Sequence, residues 1–133
     1  MEAEANYLNG ELHGNFFEWH PNGSKSIEKN YENGKLDGLM LKFYPSGKNY
    51  SKSEYKKGKL HGSLNSWYES GQKLLSANYS NGKRDAKSII WYPNGNKMHE
   101  KNYKNGALIG KSLSWNEDGT KKKKWKVRRK DIL

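Results

Sequence analysis

The sequence predicts an all-β fold: a single elongated, twisted antiparallel sheet that meanders through five β-hairpin repeats of 24 residues, followed by a basic C-terminal tail. Three observations predict it. Tyr7, Tyr31, Tyr55, Tyr79 and Tyr103 recur at a constant step, and Trp19, Phe43, Trp67, Trp91 and Trp115 follow them at a fixed interval. Two glycine turns divide each unit, one at Gly10, Gly34, Gly58, Gly82 and Gly106, the other at Gly23, Gly47, Gly71, Gly95 and Gly119. Between the turns, apolar and polar residues alternate with period two, and no helical stripe runs through them. A period of about 20–50 residues marks a repeat architecture.

Composition agrees with a thin stack of repeats. Hydrophobic residues make up 32% of the 133, too few for a thick two-layer core. A stack in which each repeat covers the next needs fewer. The chain has no cysteine, which excludes disulfides, thiolate chemistry and cysteine metal sites. The first residues show neither a basic n-region nor an apolar run, and no stretch is long and apolar enough to span a membrane as a helix. The expectation is a soluble cytoplasmic protein, or a secreted or envelope protein if a leader has been removed. The net charge of +11 is uneven: residues 1–120 hold 17 basic and 13 acidic side chains, and residues 121–133 hold eight basic and one acidic.

In chain order, residues 1–6 form an N-terminal cap. Repeats follow at 7–30, 31–54, 55–78, 79–102 and, in part, 103–120, and residues 121–133 form a basic strand or tail. Each unit reads Tyr-x-Asn-Gly-Lys-Leu-x-Gly, a variable stretch, Trp-Tyr-x-x-Gly-x-Lys, and a polar run. Asn9-Gly10, Asn33-Gly34, Asn81-Gly82 and Asn105-Gly106 are strong hairpin signals, with Lys57-Gly58 equivalent to them. Pro21-Asn22-Gly23, Pro45-Ser46-Gly47 and Pro93-Asn94-Gly95 mark the second turn, where proline presets φ and glycine closes the turn left-handed. Two turns per unit leave two strands of about six residues. Phe17 and Trp19, Leu41 and Phe43, Ile89 and Trp91, and Leu113 and Trp115 share one face. Glu18 and His20, Lys42 and Tyr44, Ser66 and Tyr68, and Ile90 and Tyr92 share the other. The expectation is one buried aromatic face and one wet face carrying a tyrosine stripe. The fourth copy departs from the pattern: Arg84 stands for Leu and Ala86 for Gly, marking a bend, a contact or drift.

The Tyr-x-Asn-Gly-x-Leu-x-Gly box, as in Asn33-Gly34-Lys35-Leu36-Asp37-Gly38 and Lys57-Gly58-Lys59-Leu60-His61-Gly62, resembles the MORN repeat superfamily. The step of 24 and the Trp-Tyr-x-x-Gly-x-Lys half resemble its bacterial variant, the repeat of YwqK-family antitoxins. The resemblance covers residues 7–120. It implies the β-hairpin repeat fold and either scaffolding or the neutralising of a toxic partner by binding it.

The residues themselves point away from catalysis. His13 and His61 occupy a column that holds Asp37 and Asp85 in other copies, which reads as a loop position. No histidine pair has metal-ligand spacing. Gly106-Ala107-Leu108-Ile109-Gly110-Lys111-Ser112 has three residues between its glycines where a phosphate loop requires four. No enzymatic activity, cofactor, metal or small-molecule substrate is expected. Lys25, Lys73 and Lys97 read as solubility devices at turns and edges. Two surfaces remain. The first is the stripe His20, Tyr44, Tyr68 and Tyr92, with Lys42 and Arg84, which reads either as a protein-binding surface or as packing between repeats. The second is the tail: Lys121, Lys122, Lys123, Lys124, Trp125, Lys126, Arg128, Arg129 and Lys130. It suits phosphate contacts with one stacking group, an anionic membrane or an acidic protein groove, or simply a solvated end. The leading expectation is a protein-binding inhibitor of antitoxin or immunity type whose partner is a toxin or a nuclease-like target. Nucleic-acid or membrane binding through the tail, and a structural scaffold, stand as alternatives.

Overall fold

The hairpin turns set the geometry. Asn9-Gly10, Asn33-Gly34, Lys57-Gly58, Asn81-Gly82 and Asn105-Gly106 have positive φ at both residues; for Asn33 and Gly34 the values are 51° and 78°. That is a two-residue mirror-type turn, whose twist matches the right-handed twist of the strands it joins. Lys57 adopts the same geometry (φ 50°) without the side chain that favours it.

The computed structural model describes residues 2–122. The strands are β1 (Ala3–Glu4), β2 (Tyr7–Leu8), β3 (Glu11–Leu12), β4 (Gly14–Trp19), β5 (Lys25–Glu32), β6 (Lys35–Phe43), β7 (Asn49–Lys56), β8 (Lys59–Trp67), β9 (Lys73–Ser80), β10 (Lys83–Arg84), β11 (Ala86–Trp91), β12 (Lys97–Lys104) and β13 (Ala107–Ser114). There is no helix among the described residues. The main sheet has 11 strands in the order β1-β4-β5-β6-β7-β8-β9-β11-β12-β13, with β10 paired to β9, and β2–β3 forms its own two-stranded ladder. Every named pairing is antiparallel, as the meander predicts.

Strands β6, β8 and β13 run longer than six residues because the box glycine lies inside them. Tyr31 pairs with Leu36, but Lys29 pairs with Met40, so Asp37, Gly38 and Leu39 oppose Asn30 alone. The same bulge recurs around Gly62. His61 and Asp37 therefore stand in bulged strands, β8 and β6, and not in loops. A second shift follows each proline-type turn, where Trp19 pairs with Lys25 and Glu18 with Ile27.

Residues 2–8 continue the sheet beyond Tyr7. Ala3 pairs with Glu18, Glu4 with Phe17, Tyr7 with Leu12 and Leu8 with Glu11. One repeat later Ile27 pairs with Lys42, Glu28 with Leu41, Tyr31 with Leu36 and Glu32 with Lys35. The N-terminal segment thus occupies the place of a return strand. At the other end, Trp115 bridges Lys121 as Trp91 pairs with Lys97.

The sheet is a single layer. Ala77 (2% exposed) is the only fully buried hydrophobic residue among those described, beside Ser26, Ser53 and Ser88. The expected division into a buried aromatic face and a wet face is corrected here. Trp19, Phe43, Trp67, Trp91 and Trp115 are all half-buried. Ser53 and Ala77 lie on the opposite face, Ser53 between Met40 and Leu64 and Ala77 beside Leu64. With no second layer, burial comes only from cross-strand neighbours, so small residues flanked by large ones end up deepest.

Candidate partner-binding surface

The tyrosine stripe joins each repeat to the next. The Tyr44 hydroxyl donates to the Trp67 carbonyl at 2.7 Å, Tyr68 to Trp91 at 2.6 Å and Tyr92 to Trp115 at 2.8 Å. His20 repeats the contact, with Nε2 2.9 Å from the Phe43 carbonyl. The stripe arises because the second turn returns each of these side chains beside the following repeat. Each turn is closed by the backbone of the stripe residue itself: the Tyr68 N–H donates to the Gln72 carbonyl at 2.8 Å, and the Gly71 N–H to the Tyr68 carbonyl at 2.9 Å. Burial, with smaller effects of Tyr50 and Glu69, pushes the Tyr44 hydroxyl above its ordinary value, so it remains a donor. The stripe residues are half-buried, and their hydroxyls are already used within the sheet.

Other columns serve the same joints. Three members of the His/Asp column are acceptors: His13 Nδ1 takes the Asn33 N–H at 3.4 Å, Asp37 Oδ1 the Lys57 N–H at 3.3 Å and His61 Nδ1 the Asn81 N–H at 3.2 Å, while Asp85 makes no such bond among the described residues. An imidazole nitrogen and a carboxylate are both acceptors, which is why they exchange there. Backbone bonds reinforce them: the Gly34, Gly58, Gly82 and Gly106 N–H groups donate to the carbonyls of Leu12, Leu36, Leu60 and Arg84 at 2.7–2.8 Å. At the other rim, Asn22 Nδ2 donates to the Pro45 carbonyl at 2.9 Å and Asn94 Nδ2 to the Glu117 carbonyl at 2.7 Å.

The lysines after the glycine turn are also more than solubility devices. Lys73 Nζ lies 5.9 Å from the Trp91 ring centroid and Lys97 Nζ 5.8 Å from that of Trp115, each reaching the following repeat, while Lys25 covers Phe17 at 4.6 Å. An ammonium over an indole face is attracted by the ring quadrupole. Sequence reading missed these contacts, although the constant spacing of Lys73 to Trp91 and Lys97 to Trp115 carries the signal. Lys97 and Lys87 also flank Glu100 at 3.0 and 3.8 Å, and they hold its carboxyl below the ordinary value.

Arg84 fills the leucine column by bridging two tyrosines. Its Nη1 donates to the Tyr103 hydroxyl at 3.0 Å, its Nε to the Tyr79 hydroxyl at 3.4 Å, and its guanidinium lies 5.2 Å from the Tyr103 ring centroid. These bonds, Tyr79 foremost, raise its pKa further. Lys42 is half-buried in β6 and makes no ion pair among the described residues. The structure therefore brings His20, Tyr44, Tyr68 and Tyr92 into one row and sets Arg84 apart on the tyrosine column. Lys121 and Lys122 are exposed at the C-terminal end. Lys123, Lys124, Trp125, Lys126, Arg128, Arg129 and Lys130 lie outside the described residues. No cluster of His, Asp or Glu that could hold a metal ion occurs among the described residues.

Residues 12–33, 36–57 and 84–105 match the MORN repeat variant family. Each match begins at the Leu12, Leu36 or Arg84 column, one repeat period apart or a multiple of it. Residues 60–81, between the second and third matches, hold the same strand register. No curated protein matches the chain.

Proposed function

We propose that this ribbon of MORN-variant repeats is a non-enzymatic protein-binding inhibitor of antitoxin or immunity type. It lays its tyrosine-bearing face over the active surface of a protein partner, a toxin or nucleic-acid-processing enzyme. The observation that carries the reading is the row of hydroxyl-anchored rings at Tyr44, Tyr68 and Tyr92. Half-buried rings held in one orientation lose little entropy when a partner covers them, so their area converts to affinity at low cost. His20 and Lys42 flank the row, and Lys42 offers a charge that no acidic neighbour among the described residues takes up.

The test is recovery of partners from source lysate with four baits: the intact chain, residues 1–120, the intact chain with Lys42→Glu, and the intact chain after nuclease treatment. A single protein recovered by the intact chain, by 1–120 and after nuclease, and weakened by Lys42→Glu, supports binding through this face. Recovery indifferent to Lys42→Glu and dependent on residues 121–133 refutes it.

The charge of the tail favours a second reading, nucleic-acid or anionic-membrane binding through residues 121–130. Eight basic residues in the last thirteen predict affinity that falls steeply with salt and disappears in 1–120. Salt-insensitive binding rules this reading out.

A further inference from the structure

Among the described residues the two ends of the ribbon are unlike, and each lacks what the other offers. Inside the sheet, the turn glycine of one repeat donates its N–H to the leucine-column carbonyl of the repeat before it, at Gly34, Gly58, Gly82 and Gly106. Among the described residues, the Gly10 N–H has no such acceptor, and the Leu108 carbonyl has no such donor. Apolar exposure is concentrated at the same places. Of six exposed large hydrophobic residues among those described, Tyr7 (68%) and Leu8 (51%) lie at the first end, and Leu108 (50%) and Ile109 (47%) at the last.

Charge sorts the same way. The first 24 residues carry four glutamates, Glu2, Glu4, Glu11 and Glu18, and no lysine or arginine. At the far end stand Lys104, Lys111, Lys121 and Lys122, against Glu117 and Asp118 in the turn, and the sequence after them is strongly basic. Like ends repel and unlike ends attract.

We propose that copies of this chain join head to tail, with the strand of residues 2–8 of one copy adding to the outer edge of β13 of another. The repeat dictates the register. Gly14 pairs with Tyr31 and Phe16 with Lys29 inside the sheet. The same spacing sets Gly110 against Tyr7 of the next copy and Ser112 against Ala5. Backbone directions agree. The Glu2 and Asn6 carbonyls point inward to Trp19 and His13, so the N–H and C=O groups of Ala3, Ala5 and Tyr7 point outward. The Ser114 carbonyl points away from β12 toward Lys122, and Leu108, beyond the bulge at Gly110, stands where Leu12, Leu36, Leu60 and Arg84 do, whose carbonyls accept from the following repeat. Gly10 then donates to Leu108, completing the ladder, and Tyr7 receives the neighbouring strand that Tyr31 has. Lys122 already holds the Ser114 carbonyl within one copy, so the joint covers Leu108 to Ser112 and competes with the chain's own continuation there. The interface is heterologous, so it propagates and does not close as a pair.

Sedimentation of the full chain tests the joint. The expected result is oligomers that grow with concentration at ionic strength near 0.01 M and shrink at about 1 M, where screening falls from roughly 30 to 3 Å. Ala5→Pro removes an outward N–H at the first end and Ser112→Pro one at the last, leaving the inward bonds in place. Each variant alone should sediment as a monomer, and an equimolar mixture should give a dimer, since each retains one working end. Glu2→Lys with Glu4→Lys, and Leu108→Glu with Ile109→Glu, are replacement blocks if a proline variant fails to fold by circular dichroism. A monomeric full chain at low salt, oligomers that persist in either single-end variant, or a mixture that stays monomeric would overturn the proposal.

Discussion

Removing the Tyr68 hydroxyl should loosen one joint of the ribbon while leaving its packing intact. Tyr68→Phe keeps the ring and deletes only the 2.6 Å bond to the Trp91 carbonyl. A net hydrogen bond contributes about 0.5–1.5 kcal/mol, and a half-buried carbonyl left without its donor regains part of its hydration from water, so the expected loss is about 1 kcal/mol. Over the roughly 120 described residues, that lowers the unfolding midpoint by roughly 4 °C. Tyr44, Tyr68 and Tyr92 are one repeat apart, roughly 10 Å at two strand spacings, far enough for their effects to add. The triple Phe variant should therefore lose about 3 kcal/mol. Urea unfolding followed by tryptophan fluorescence measures this, with coincident circular dichroism confirming a single transition, since repeat arrays can unfold in parts. Tyr55→Phe is the control: its hydroxyl has no hydrogen-bond partner among the described residues, so its change should stay within about 0.5 kcal/mol. If Tyr68→Phe matches the control, the stripe does not join the repeats and the argument for anchored rings fails.

Other expectations concern the backbone and titration. Ala86 sits at φ 64° where its column otherwise holds glycine, so Ala86→Gly should stabilise the chain by about 1 kcal/mol in the same urea assay. Gly62 has φ 112°, and an added Cβ would run into the Glu54 carboxylate, so Gly62→Ala should cost about 1–3 kcal/mol. Lys57→Asn, placing the favoured residue at φ 50°, should raise the melting temperature by a few degrees, about 0.5 kcal/mol. Burial, then Lys101 and Lys122, lowers the His99 pKa from 6.5, so the unfolded chain takes up its proton first. Stability should therefore be intact above about pH 6.5 and decline as pH falls below it. His99→Gln should flatten that limb, and a decline that persists unchanged in the variant would exclude His99 as its source. Glu100, held low by Lys97, adds a separate loss only below its ordinary value of 4.5, and Glu100→Gln should remove it from the acid unfolding curve.

The period made most of the architecture readable. A step of 24 with two turn signals specifies strand number and direction, because an Asn-Gly pair with positive φ at both residues favours one hairpin geometry, but it left the bulges opposite Asn30 and Glu54 unread. Alternation also sorted the side chains onto two faces correctly. It could not say how deep each face lies, since depth in a single layer depends on cross-strand neighbours such as Met40, Ser53 and Leu64, which are distant in sequence. The joints were hidden for a related reason. Tyr44 to Trp67 and Lys73 to Trp91 link positions a repeat apart, and one copy read alone shows only an aromatic or a charge. The exchange of His for Asp was visible, but its meaning, an acceptor for the next turn's N–H, needed the third dimension. Arg84 looked like an exception to its column and proves to be a clasp between Tyr79 and Tyr103.

Amide hydrogen exchange on the monomeric chain, resolved residue by residue, tests most directly that each repeat is fastened to the next. The account predicts matching slow exchange at Gly34, Gly58, Gly82 and Gly106, whose N–H groups cross from repeat to repeat, and fast exchange at Gly10, whose N–H has no acceptor among the described residues. Exchange at the four internal glycines as fast as at Gly10 would contradict it, because the hairpins would then be strung together without being joined.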